Sequence, residues 1–179
     1  TRTSGGSSAG AAAGLVAGLH PLAQGGDGGG SIRIPASMCG AYGIKPTQGR
    51  VPKPYKSPGG WAMFSQNGPI SHTVRDAAIL LQVLAGPDLS DPTSIQEQPP
   101  DFITSLGKGV RGLRIAWSPD LGGLPVDPDV RRVTQDAVLV FERLGAHVLE
   151  ADFSLDHEHV MDVFKTVWWS DFAANFGEI

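Results

Sequence analysis

The sequence predicts an α/β fold, a mixed or parallel β-sheet flanked by helices. Three observations carry that reading. Residues 113–153 run strand, loop, helix, strand. Residues 74–84 and 128–144 repeat apolar side chains at helical spacing. Ten glycines fall within residues 1–31, where average usage would place roughly two, yet alanines and leucines recur between them at helical spacing.

Taken in order, Ala9 to Leu19 reads as a helix of small residues with Ser8 near its N-cap. Such a helix can approach neighbouring backbone closely. Pro21 and Leu22 end it, Leu22 to Gln24 reads as a short strand, and Gly25 to Gly30 as a turn with positions free to take positive φ. Ser31 to Cys39 starts another helix, with Pro35 tolerated in its first turn. Residues 40–70 read as loop, broken by Pro46, Pro52, Pro54, Pro58 and Pro69. Val74 to Leu84 is an amphipathic helix with Val74, Ala77, Ala78, Leu81 and Leu84 on one face. Thr73 is its expected N-cap, and Asp76 stands in the first turn, where the helix dipole favours an acid.

Composition shifts near Pro87. Residues 87–112 read as a loop-rich connection. Leu113 to Trp117 reads as a strand, and Pro128 to Leu144 as a helix that turns Val130, Val133, Ala137, Phe141 and Leu144 inward, closed by Gly145. His147 to Phe153 reads as a strand. His157 to Phe176 is a last helix carrying Trp168, Trp169 and Phe172. The chain opens at Thr1 and stops at Ile179 without the look of domain termini, so the expectation is the central part of one domain, 1–179, cut on both sides.

Charge narrows the partners. The formal net charge of the 179 residues is −4, and Lys and Arg form no cluster able to neutralise phosphates, so no direct nucleic-acid partner is expected. No stretch reaches the roughly 18 apolar residues of a membrane span, and no secretory signal is read at the start. The single cysteine, Cys39, sits among small apolar neighbours and reads as a buried, reduced thiol of a cytoplasmic protein.

The chemistry concentrates in Gly28-Gly29-Gly30-Ser31. Three glycines leave backbone N–H groups unshielded, and such a turn can gather them around an anion. A serine at its edge stands where an acyl carbon can be held, with the N–H groups facing the oxyanion formed on attack. Phosphate binding is the competing use, but the P-loop pattern requires Lys where residue 30 is Gly. A serine needs a base, and none of His20, His72, His147, His157 and His159 has a catalytic context. His157 and His159 lie two apart on a helix and point away from one another, so no metal and no cofactor is expected. Trp61, Met63 and Phe64 are candidates for lining an acyl pocket, with core packing the favoured reading.

The ordered run Gly5-Gly6-Ser7-Ser8, Gly28-Gly29-Gly30-Ser31-Ile32-Arg33-Ile34-Pro35-Ala36 and Gly43-Ile44-Lys45-Pro46-Thr47 resembles the signature of the amidase signature family. The signature region spans residues 1–50, and the likeness extends to about residue 94 through Asn67-Gly68-Pro69-Ile70 and the helix from Val74. It implies the fold of that family, a mixed central β-sheet flanked by helices on both faces, present only as a fragment. It also implies a Ser–cisSer–Lys relay: Ser31 as nucleophile, Ser7 as the bridging serine entered by a cis peptide bond, and Gly28, Gly29 and Gly30, with Ser31 itself, as oxyanion donors. The implied reaction is hydrolysis of a small carboxamide or anilide through an acyl-enzyme, releasing ammonia or an amine, with a homodimer as the assembly left open.

Departures temper that likeness. The family's relay lysine lies before the Gly-Gly-Ser-Ser motif, whereas Lys45, Lys53, Lys56, Lys108 and Lys165 all follow it, so the isolated chain is expected to fold poorly and to be silent. Ala9 replaces the usual Gly, Gly26 the commoner Ser or Thr, and Gly28 the commoner Thr. Two alternatives stay open: the glutamine-hydrolysing component of a tRNA-dependent amidotransferase, its A subunit, or a truncated non-catalytic relic. The stretch Phe64-Ser65-Gln66-Asn67 departs from the Ser-Leu-Asp-Gln expected of the former.

Overall fold

The structure, a computed structural model, describes residues 3–54, 60–151 and 155–177. Pro58, Lys56, Phe153 and the chain ends at Thr1 and Ile179 lie outside the described residues. The elements run α1 (Ala9–Val16), β1 (Leu22–Asp27), α2 (Arg33–Cys39), β2 (Tyr42–Gly43), β3 (Gln66–Ser71), α3 (Val74–Leu84), α4 (Phe102–Ser105), β4 (Arg114–Trp117), α5 (Pro128–Arg143), β5 (His147–Glu150) and α6 (His157–Phe176). Short 3₁₀ segments occupy Gly60–Phe64 and Leu106–Lys108. The chain divides into two compact units, Thr1–Leu106 with Val167–Ile179, and Gly107–Thr166.

The class is α/β, as expected, and both strand senses occur, in separate small sheets. In the first unit β3 lies between β1 and β2, antiparallel to each. In the second unit β4 and β5 pair in parallel, Arg114 opposite His147 and Trp117 opposite Glu150, with α5 as their crossover. Parallel neighbours need such a connection because the chain must return to its starting edge.

Four elements of the first unit share one core. Ala12 and Leu15 of α1, Ile32, Ala36 of α2 and Ile70 of β3 are buried together, with Ala23, Cys39 and Ala41 against them. Full burial of Leu15, Ile32 and Ile70 contributes about 1.5–3 kcal/mol apiece. Small residues make the approach possible: a Cβ on Gly43 would fall 2.8 Å from Ala36 Cβ and 2.9 Å from Ile32 Cγ2. Cys39 is half-buried rather than buried, and its Sγ lies 3.7 Å from the Ser4 carbonyl.

Several boundaries differ from expectation for physical reasons. β1 continues through Gly25 and Gly26 to Asp27, because β3 pairs with it over its whole length, Leu22 opposite Ser71 through Asp27 opposite Gln66. β3 itself falls in the stretch read as loop. Gly68 and Pro69 mask it, since both weaken strand patterns; here the Ile44 carbonyl occupies the space a Cβ on residue 68 would need, and Ile44 N–H donates to the Pro69 carbonyl at 3.0 Å. α2 starts two residues after Ser31 and ends on Gly40 at φ 73°. Pro35 is its third residue and lies in the first turn.

The helix α3 matches its prediction in extent. Thr73 Oγ1 accepts from Asp76 N–H at 3.1 Å, and Ala77, Ala78 and Leu81 are buried, although Val74 is exposed. In α5 the expected inward face is not buried: Val130, Val133, Ala137, Phe141 and Leu144 are all exposed, since the two strands of its own unit, four residues each, are too short to cover a helix of 16 residues. Within residues 87–112 the chain is anchored rather than loose. The buried Asp91 carboxylate accepts from Lys53 N–H at 2.8 Å and from Thr93 N–H at 2.8 Å, and Ile95 N–H donates to the Gly49 carbonyl at 2.9 Å. Among the described residues no helix is long and apolar enough to cross a membrane.

Candidate active site

The site is assembled where β1 ends and α2 begins. Asp27, the last residue of β1, is wholly buried. Its Oδ1 accepts from Gly30 N–H at 2.6 Å, and its Oδ2 from Ile32 N–H at 3.2 Å and Arg33 N–H at 3.3 Å. Arg33 adds Nε to Oδ2 at 2.9 Å and Nη2 to Oδ1 at 3.0 Å. The N-cap position of α2 is Ile32, whose side chain has no acceptor. Asp27 therefore supplies from the strand the acceptor that the helix start lacks.

Five donors on one carboxylate set its charge state. Burial alone would raise the Asp27 pKa, but the hydrogen bonds from the Arg33 side chain and from the Gly30, Arg33 and Ile32 N–H groups outweigh it and hold the carboxyl well below the usual range. The Arg33 guanidinium is raised in turn, chiefly by its hydrogen bond to Asp27. Arg33 lies within the signature motif and Asp27 stands directly before it, yet sequence reasoning assigned them no role. The signal was present as an acid three residues before Gly30 and a base three residues after it.

This ligation shapes the turn that carries Ser31. Gly30 sits at φ 115°, and a Cβ there would fall 2.7 Å from Ile34 Cδ1. Glycine meets both demands. Ser31 is half-buried. Of the three glycines expected to line an oxyanion hole, Gly30 has its N–H turned to Asp27. Among the described residues, no acceptor engages the N–H groups of Gly28, Gly29 and Ser31.

The segment with Ser7 is tied to the same turn. Ser8 N–H donates to the Ser31 carbonyl at 3.2 Å. Ser8 Oγ donates to the Gly26 carbonyl and accepts from Gly26 N–H, both at 3.2 Å. Gly25 permits this, since a Cβ there would meet Ser8 Oγ at 2.8 Å. The Gly6–Ser7 peptide bond is cis, and Ser7 itself is exposed.

Other residues singled out in the sequence lie as follows. Lys45 Nζ donates to the Pro46 carbonyl at 2.9 Å. Lys53 Nζ donates to Ser65 Oγ at 3.0 Å, and burial lowers the pKa of its ammonium. His20 packs on α1 at Gly14, where a Cβ would meet its Nε2 at 2.6 Å, and His72 Nε2 lies 3.2 Å from the Leu15 carbonyl. Met63 and Phe64 are exposed, so the core-packing reading does not hold for them, whereas Trp61 is half-buried and packs edge to face on Trp168. The Trp61 indole also edges against Gly28.

The sequence profile of the Amidase family matches residues 1–178. An acylamidase of Rhodococcus erythropolis is 47% identical over 149 residues, 83% of this chain and 31% of that protein. The A subunit of the glutamyl-tRNA(Gln) amidotransferase of Chromohalobacter salexigens is 43% identical over 156 residues, 87% of this chain and 32% of that protein. Among solved structures, a bacterial aryl acylamidase of the amidase signature family superposes with a TM-score of 0.86 at 37% identity, covering 98% of this chain and 36% of the other. The A subunit of the glutamyl-tRNA(Gln) amidotransferase of Thermotoga maritima superposes with a TM-score of 0.79 at 33% identity, covering 98% and 39%. The chain thus spans about a third of the length of the curated relatives it matches.

Proposed function

Since the chain belongs to the amidase family, we propose that the protein hydrolyses a carboxamide by acyl transfer to Ser31. The observation that carries the proposal is the turn wrapped on Asp27. It holds Ser31 at fixed backbone geometry, and the Ser8 to Ser31 hydrogen bond draws the Ser7 segment alongside. A nucleophile and its relay must be held together in this way for proton transfer to accompany attack.

Ser31 Oγ attacks the carbonyl carbon and passes its proton to Ser7, whose own proton moves to a neutral lysine. In this reading the lysine comes from sequence ahead of the Gly5-Gly6-Ser7-Ser8 motif. The N–H groups of Gly28, Gly29 and Ser31 face the oxyanion; Gly30 shapes the turn instead of donating, because its N–H already serves Asp27. The lysine then protonates the leaving amine through Ser7, and water releases the acid by the same route in reverse. The reaction needs no cofactor. Its setting is cytoplasmic, in keeping with the single free thiol.

A second reading is the glutamine-hydrolysing component of a tRNA-dependent amidotransferase, favoured by the 43% identity to one such protein. Gln66 and Asn67, where that type carries Asp-Gln, count against it. The two readings part on partner dependence. The proposed amidase turns over simple amides by itself, whereas the amidotransferase component hydrolyses glutamine and needs its partner proteins.

The decisive experiment labels the full-length protein with a fluorophosphonate probe and follows amide hydrolysis. Wild type is expected to be labelled at Ser31 and to turn over, with Ser31→Ala losing both while keeping its circular dichroism. Full activity in Ser31→Ala would overturn the mechanism.

A further inference from the structure

Lys53 is held at both ends. Its backbone N–H donates to Asp91 Oδ2 at 2.8 Å. That carboxylate is buried and also takes Thr93 N–H at 2.8 Å and the Thr93 hydroxyl at 2.7 Å. At the far end of the side chain, Nζ donates to Ser65 Oγ at 3.0 Å. Ser65 stands directly before β3, and the next residue, Gln66, is buried and accepts from Gly49 N–H at 3.2 Å through Oε1. The amine and the hydroxyl that receives it are thus both tied into the fold. Lys53 and Ser65 are half-buried, so the pair keeps part of its surface open. A lysine held in this way has already lost the rotamer freedom that an exposed one keeps.

We propose that Lys53 is an acyl-acceptor lysine, a modification site where the acyl group of a small activated donor, an acyl phosphate or an acyl thioester, becomes an amide on Nζ under the guidance of Ser65 Oγ. The inference is independent of the role given to Ser31. The Nζ lone pair attacks the donor carbonyl, and an N–C bond forms. The C–O bond to phosphate, or the C–S bond to the thiol, breaks, and the leaving group departs with the electron pair. The surplus proton on nitrogen passes to water, and nothing is oxidised or reduced.

Ser65 matters because nitrogen gains positive charge during the attack. Its N–H bond to Oγ strengthens as that charge develops, so the hydroxyl favours the transition state over the resting amine. A hydroxyl also accepts from the amine without requiring it to stay protonated. Burial supplies the neutral amine that attacks, since it lowers the pKa of Lys53. The place gives the modification its meaning. Gln66, one residue beyond Ser65, stands opposite Asp27 in the β1–β3 ladder. Acylation therefore removes a positive charge at the same end of the sheet as the Ser31 turn.

The test uses the full-length protein carrying Ser31→Ala, so that the serine consumes no donor. It is incubated near neutral pH with acetyl phosphate or with S-acetyl-N-acetylcysteamine, and acetylation of each lysine is followed by peptide mass spectrometry. Lys108 and Lys165, both exposed, are the internal references. Lys53 is expected to react about fivefold faster than either reference with at least one donor, and the donor that shows the advantage identifies the source. Rates no higher than the references with both donors overturn the proposal. In concentrated urea the advantage should vanish, and its persistence would overturn the proposal by placing the effect in local sequence.

Ser65→Ala should bring Lys53 down to the reference rate while Lys108 and Lys165 keep theirs. Ser65→Thr, which retains a hydroxyl, should restore most of the difference. An undiminished Lys53 rate in Ser65→Ala overturns the guided acceptor. The comparison of the three lysines with Ser65 in place needs no change at the pair, so a folding defect in Ser65→Ala does not shelter the proposal.

Discussion

Asp27 and Arg33 meet in a two-point ion pair, Nε to Oδ2 at 2.9 Å and Nη2 to Oδ1 at 3.0 Å, with the carboxylate wholly buried and the guanidinium half open to water. Such fork-to-carboxylate geometry is directional as well as strong. The same carboxylate also holds three backbone N–H groups on either side of Ser31. An ion pair at the surface would matter little. This one matters because one partner is buried and organises the turn.

Replacing Asp27 by Asn keeps the shape but removes the charge and turns an amide N–H toward donors that need an acceptor. Asp27→Asn is expected to lower the unfolding free energy by about 3 kcal/mol, read by urea denaturation of the full-length protein. Its kcat should fall more than its KM rises, because the misplaced group is the nucleophile. A variant with wild-type stability and kcat would show that the turn holds itself without Asp27.

Acid should loosen the same feature. The folded-state pKa of Asp27 is lowered relative to the unfolded chain. Its contribution is therefore fully present above the ordinary carboxylate pKa of about 3.9 and is lost as pH falls below that value toward the lowered folded pKa. Asp91, where burial acts upward but hydrogen bonds from Lys53 and Thr93 prevail, is lowered too and acts with the same sign. Urea midpoints should thus decline as pH drops below about 4. Asp27→Asn should show a shallower decline. An equally steep decline in the variant would place the acid sensitivity elsewhere.

Gly30 is held at φ 115° with Ile34 Cδ1 in the way of any Cβ. Gly30→Ala should cost about 1–3 kcal/mol from the backbone conformation alone, and it should lower kcat by moving Ser31. Thermal melts and steady-state kinetics read the two effects. Unchanged kcat with a lowered melting temperature would mean that the turn adjusts without displacing the serine.

Local chemistry decides which elements were legible. The helix α3 could be read from its apolar stripe, Thr73 and Asp76, because a cap and a face are properties of adjacent residues. The serines, the glycine turn and the family resemblance were legible for the same reason. β3 was not, since Gly68 and Pro69 weaken any strand signal and only pairing with β1 makes them a strand. The stripe on α5 was read correctly as amphipathic and wrongly as buried, because burial depends on what lies opposite.

The sequence by itself determined the α/β class, the residues of the signature and the family to which the chain belongs, since each is written in order and spacing along the chain. Tertiary structure alone decided what Asp27 does, that Gly30 spends its N–H on that carboxylate, and that Trp61 lies on Gly28. The reason is distance along the chain. Residues 28 and 61 have no local pattern in common, and a carboxylate selects its donors only once a strand and a helix have brought them within hydrogen-bond reach.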